Sequence, residues 1–393
     1  MSVIARAVIV VAVAVLLALQ VVGTALVADR STRTTIAGRL WPSHPSLLIN
    51  LTMTEIGAHA ARGESLPPAT LRRVDEIAAK EPLAPEPFLI EGALAQVEQK
   101  QERAEKLFTA ARTRAPRTAA ARYFLADRYL RTGRIGPALD ELAVLSRLLP
   151  QAMAGFGPAL AAFARTPGAV PQLRSFFRSS PEIEPVVLAE LAGDGRNADL
   201  ILTLWGRRET GPGARAPDWQ AKLINKLVEQ EQFAKAHSTW RLVSGVQDSG
   251  GTIFNSRFAK LNAPPPFNWS FGTTGGVVEP APGDRLQVIY FGRNDAVLAE
   301  QLLLLPPGRY QLSTDISGPL GKGGEIAWTL ACAGRAEPIF RLPVEAKGRL
   351  AGSFVVPLGC LAQRLQLTGA AGEFPQSQEF TVGKLQLVKG PSA

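Results

Sequence analysis

At 393 residues, with 46% hydrophobic and 20% charged residues, the chain has the make-up of two or three globular domains and not of a disordered tract. Its 43 Lys and Arg against 34 Asp and Glu leave a formal charge of +9, which favours acidic partners without choosing among lipid head groups, acidic glycan and nucleic acid. Three histidines far apart in sequence and two cysteines offer no zinc-ligand spacing, so no metal or other cofactor is expected.

The first element is apolar. Ala7 to Val27 is a run of 21 residues without a charge. As a helix rising about 1.5 Å per residue it would span about 30 Å, the thickness of a bilayer core. The expectation is a membrane anchor over 1–28, with a linker over 29–45. A cleavable signal peptide is the alternative, since Gly23-Thr24-Ala25 has a small-x-small pattern. Arg6 precedes the run, and Arg30, Arg33 and Arg39 follow it. Long following domains translocate largely regardless of such charge. The expected placement is therefore a bacterial inner membrane, crossed once, with the body in the periplasm.

A period follows. Pro82, Pro116 and Pro150 lie 34 residues apart. Val74, Phe108 and Leu142 each stand eight residues before one of them, and Ala104 and Ala138 stand twelve before the last two. Small residues let paired helices approach, large ones fill the space between them, and proline stops the second helix. Together with Phe88, Gly92 and Ala111, and with Leu125, Ala126, Tyr129 and Gly133, this pattern resembles the tetratricopeptide repeat family over about 51–152. The resemblance continues in degraded form to 245. It implies an α-solenoid over 46–245 that binds a protein partner.

Between Lys100 and Arg134 there are ten Lys or Arg and three Asp or Glu. Arg112, Arg114, Arg117, Arg122, Arg128, Arg131 and Arg134 form a candidate basic stripe. Their planar forks suit carboxylate or phosphate. A solvated helix surface would carry the same residues. A location outside the cytoplasm would exclude nucleic acid and leave lipid head groups or acidic glycan.

Composition changes at 246–262, a Gly- and Ser-containing linker. From 263 to 393, short alternating runs such as Leu286–Tyr290, Tyr310–Thr314 and Ile326–Leu330 are separated by turn residues. That spacing predicts an antiparallel β-sandwich. With Phe267-Asn268-Trp269 opening it, the Pro307-Gly308-Arg309-Tyr310 turn and the closing run to Lys389, this half resembles jelly-roll carbohydrate-binding modules and galactose-binding-like domains. The fold class expected is thus α + β and multidomain: a transmembrane helix, a solenoid and a jelly-roll-like sandwich.

Trp269 and Tyr290 are candidate sugar-stacking rings, with Arg293, Asn294 and Asp295 as hydrogen-bonding partners. Trp328 in its alternating run fits a core position better. Cys332 and Cys360 are a candidate disulfide, although two buried thiols fit the sequence as well. No nucleophile elbow, metal-binding helix motif or phosphate loop is present. The expected function is a membrane-anchored cell-envelope scaffold: repeats for protein–protein contact and a sandwich for glycan, in surface polysaccharide assembly or export. A structural assembly factor without glycan binding is the alternative, and a glycan-active enzyme a lesser one.

Overall fold

A computed structural model describes residues 45–390, apart from 63, 65, 207–216, 247–251, 260, 262, 320, 322–323 and 346. The chain divides into two compact units, one ending at Phe156 and the other beginning at Gly157.

The first unit is a series of helical hairpins: α1 Pro45–Arg62, α2 Pro68–Lys80, α3 Glu86–Val97, α4 Gln101–Arg114, α5 Ala119–Arg131 and α6 Ile135–Leu148, closed by a 3-10 turn, Pro150–Phe156. Consecutive helices pack as pairs. Ala104, Ala111 and Ala138 are fully buried where the helices approach. A Cβ on Gly92 would stand 3.0 Å from the Phe108 ring. That ring in turn stacks on Phe124 at 4.1 Å between centroids. Small residues on one helix thus make room for a large one on its neighbour, as close packing requires.

The second unit starts with shorter helices: α7 Gly157–Ala164, α8 Ala169–Ser179, α9 Glu184–Leu191, α10 Ala198–Trp205, α11 Asp218–Glu229 and α12 Phe233–Ser244. It continues into eleven described strands: β1 Ser270–Phe271, β2 Gly276–Ala281, β3 Arg285–Tyr290, β4 Ala296–Leu303, β5 Gly308–Ser317, β6 Gly324–Cys332, β7 Pro338–Pro343, β8 Gly348–Val356, β9 Gln363–Ala371, β10 Gln378–Val382 and β11 Gln386–Lys389. One sheet runs β1-β4-β9-β6-β7. The other runs β11-β5-β10-β3-β2, with β8 also on β5. Each ladder is antiparallel, and the inward faces share one apolar core around Trp328, Tyr310 and Phe380.

Helices and sandwich are joined inside the second unit by aromatic contacts. The Trp240 ring meets Phe254 and Phe267 at 4.9 and 5.6 Å, and its indole N–H donates to the Pro264 carbonyl at 2.7 Å. Phe254, within the stretch 246–262, and Pro264 just after it are thus packed against Trp240 of α12.

Among the described residues no helix is long and apolar enough to cross a membrane. The 18-residue α1 is the longest described helix, and it carries Asn50, Glu55, His59 and Arg62. This corrects the expected fold class, which included a transmembrane helix, and with it the single-pass inner-membrane, periplasmic placement. The fold described is helical hairpins and an antiparallel sandwich. The run Ala7 to Val27 lies outside the described residues.

Candidate functional site

The basic stripe is built into the first unit. Arg112 on α4 and Arg122 on α5 both pair with Glu141 on α6, whose side chain is 2% exposed; Arg122 reaches it at 2.6 Å. Arg134 grips Glu105 through two bonds of 2.6 and 2.7 Å, and Arg128 adds a third at 3.3 Å. The hydrogen bonds from Arg134, then those from Arg128, hold the Glu105 carboxyl below the ordinary glutamate value against the opposing effect of burial. Arg114 lies 3.8 Å over the Phe88 ring and donates to the Pro82 carbonyl at 2.7 Å. Arg131 pairs with Asp127 one helical turn earlier, at 2.8 Å. Arg117 is exposed. Five of these seven arginines therefore hold helices or turns to one another, while Arg131 pairs within its own helix.

Another face of the same hairpins remains open. Leu89 and Tyr123 stand 34 residues apart, at the same place on α3 and α5, and Val97 lies two turns after Leu89. A spacing of four keeps Leu89, Ala93 and Val97 on one side of α3. Val97 is 79% exposed and Tyr123 44%. Tyr123 also meets the Phe156 ring at 4.9 Å between centroids, and its repeat counterpart Leu89 packs partly buried against the hairpin core, so Val97 is the most open of these groups. The repeat period does not mark Val97, whose counterpart 34 residues on is Arg131, and exposure cannot be read from a period.

In the sandwich, the two candidate sugar-stacking rings are core. Trp269 packs against Phe258 and Trp328 at 5.2 and 6.0 Å, and its indole N–H donates to the Asn255 carbonyl. Tyr290 is fully buried, and its hydroxyl donates to the Asn294 carbonyl at 3.0 Å. Burial, with the Asp295 carboxylate nearby, holds the Tyr290 phenol above the ordinary tyrosine value. Gly369 leaves room for this ring: a Cβ there would lie 2.6 Å from it. Neither ring presents a face to solvent.

The turn Arg293-Asn294-Asp295 is exposed. The Asp295 carboxylate accepts the Ala371 amide at 2.8 Å, and the Gly372 amide donates to the Gly292 carbonyl. These bonds tie the β3–β4 turn to the β9–β10 loop. Phe291, next to Gly292, and Phe374, two residues after Gly372, are both exposed and therefore lie on the two loops that these bonds join, with Arg293 and Asn294 on the first; Phe374 is 76% exposed. Neither phenylalanine stands out in the sequence, because the contact between their loops is non-local. Cys332 and Cys360 are joined, with Cα atoms 5.4 Å apart.

No family model matches the sequence, and no curated protein matches it. Among solved structures, the chain is similar to the carbohydrate-binding module TmCBM61, solved in complex with beta-1,4-galactotriose. The identity is 14% and the TM-score 0.23, over 31% of this chain and 88% of that one. It is also similar to the MamA RS-1 ArsTM double mutant, a tetratricopeptide-repeat protein. The identity there is 17% and the TM-score 0.25, over 50% of this chain and 92% of that one. At these scores the likenesses say nothing about ligands.

Proposed function

We propose that this chain is a binding scaffold and not an enzyme, and that the open face of the α3 and α5 hairpins takes a protein partner. The supporting observation is that Val97 on α3 and Tyr123 on α5 are large apolar side chains left exposed on neighbouring hairpins, in a unit where five of the seven stripe arginines already engage internal partners. An extended or helical segment of a partner would bury these side chains, with the Asp127–Arg131 pair at the rim. The test places a photo-crosslinking residue at Val97 in the full chain, with exposed Lys106 on α4 as the control position. A discrete adduct from position 97, lost on Tyr123→Ala, is the expected result. Equal labelling from both positions would sink the assignment.

A second contact is favoured by Phe291 and Phe374. Flat aromatic faces beside Arg293 and Asn294 suit the C–H faces and hydroxyls of a sugar. Titrating the full chain with neutral and acidic polysaccharides should give weak binding that Phe374→Ala removes without lowering the melting temperature. Binding indifferent to Phe374→Ala would place any glycan elsewhere.

A further inference from the structure

A cleft of about 580 Å³ opens in the second unit. One wall is the α11–α12 turn and the first turn of α12, from Glu231 to Lys235. The floor is Leu304 to Pro307, between β4 and β5, and the remaining wall is Gly359 to Leu361, between β8 and β9. The buried Gln363 side chain ties floor to wall: its oxygen accepts the Leu305 amide at 2.8 Å, and its amide donates to the Cys360 carbonyl at 2.8 Å. The disulfide to Cys332 fixes the same wall a second time. The cleft is thus apolar and held open by cross-links.

The turn forming that wall also carries exposed apolar groups: Leu358 is 87% exposed, and Leu361, which lines the cleft, is exposed as well. Knob and hole share one rim. A two-fold contact between copies would cover both features in both copies. The rim charges fit the same symmetry. Glu231 and Lys235 have opposite signs and lie four residues apart, so a two-fold axis sets each against its complement. Lys235 also holds Asp199 at 2.9 Å and keeps further N–H donors for a second carboxylate. In an isologous contact every such pairing occurs twice.

We propose that a second copy of this chain docks here, with Leu358 of each copy entering the cleft of the other and Lys235 facing Glu231 across the axis. This contact is independent of the partner and glycan contacts proposed above. Fixed walls lower the ordering cost of association, which helps a small interface.

The test is sedimentation of the full-length chain from about 1 to 100 µM, a range suited to a weak dimer. The expected result is a concentration-dependent dimer that Leu358→Glu weakens at least about tenfold, as loss of a central anchor does. Val388→Glu, another exposed apolar position, should leave it unchanged. Glu231→Lys should weaken the dimer, and Glu231→Lys with Lys235→Glu should restore it. A chain that stays monomeric throughout overturns the proposal. So does a dimer that persists in Leu358→Glu, or one that Val388→Glu disrupts equally. Unchanged melting temperatures for all variants separate lost docking from lost folding.

Discussion

The hairpins of the first unit and the sandwich of the second place their polar groups in opposite ways. In the hairpins, charged side chains tie helix to helix: Glu141 joins α4, α5 and α6, and Glu105 joins α4 to α5 and to the turn after it. In the sandwich, the two sheets meet through apolar and aromatic groups, and the long-range ties are a disulfide and uncharged buried amides such as Gln363 and Gln301. The geometry explains the difference. Paired helices touch along narrow stripes, so Arg reaches a neighbour's carboxylate while keeping part of its stem in water. Facing sheets bury whole surfaces, and an unpaired charge there would carry a large desolvation cost. Sequence features that suggest a ligand therefore need opposite treatment. An arginine run on hairpins is first a set of interhelical ties, and a tryptophan in a sandwich is first core.

The largest test of that contrast is Trp328→Ala. The ring is fully buried between the sheets. Its removal should cost about 3–5 kcal/mol in denaturant unfolding followed by tryptophan fluorescence. A loss under about 1 kcal/mol would mean that the sheets are not held through this ring.

Next comes the disulfide. Replacing Cys332 and Cys360 together by Ser releases a closure between residues 28 apart. The loop-entropy account gives a loss of about 3–4 kcal/mol. Thiol titration of unreduced, denatured protein should find no free thiol before the substitution. Two reactive thiols would remove the tie from the comparison.

Glu141→Gln addresses the hairpins. It leaves Arg112 and Arg122 facing a neutral group. Because Arg112 is about one-third exposed and rehydrates, the expected cost is about 2–3 kcal/mol, below the full value for a fully buried pair. Hydrogen exchange should report it as faster amide exchange in α4 to α6. Unchanged exchange would show the ion pairs to be ornaments of a fold held by its alanine contacts.

The smallest effect is a pH dependence. Arg134 and Arg128 hold Glu105 below its ordinary pKa, so its contribution is complete above that ordinary value, about 4.3. It is lost as pH falls through the lowered folded value. Glu105→Gln should therefore lower stability by under about 1 kcal/mol at neutral pH, partial exposure having been discounted, and by nothing in strong acid. A loss that persists in acid would point to packing instead of charge.

Much of the architecture is legible in the sequence because it depends on short-range rules. The 34-residue period, with Gly92 and Ala104 in one hairpin and Ala126 and Ala138 in the next, places small residues at helix contacts. Alternating runs such as Ile326–Leu330 mark strands by the two-residue repeat of a pleated sheet. The candidate surfaces are much less legible. Trp269 and Tyr290 have the chemistry of a sugar platform, but Gly369 and Gly324 open the space into which the Tyr290 ring sinks. Phe374 has nothing near it in sequence to mark it.

The sequence by itself determined where the helices of the 34-residue period stop, which small residues lie at their contacts, where strands alternate, and that two cysteines fall in the sandwich region. Those properties follow from side-chain size, proline and periodicity within a few residues of the chain. Tertiary structure alone decided that five of seven arginines tie to other helices or turns, that helices α7 to α12 belong with the sandwich, and that an apolar cleft opens beside Leu358. Each of these depends on groups tens of residues apart meeting at distances of a few ångströms. Spacing along the chain carries no record of such meetings.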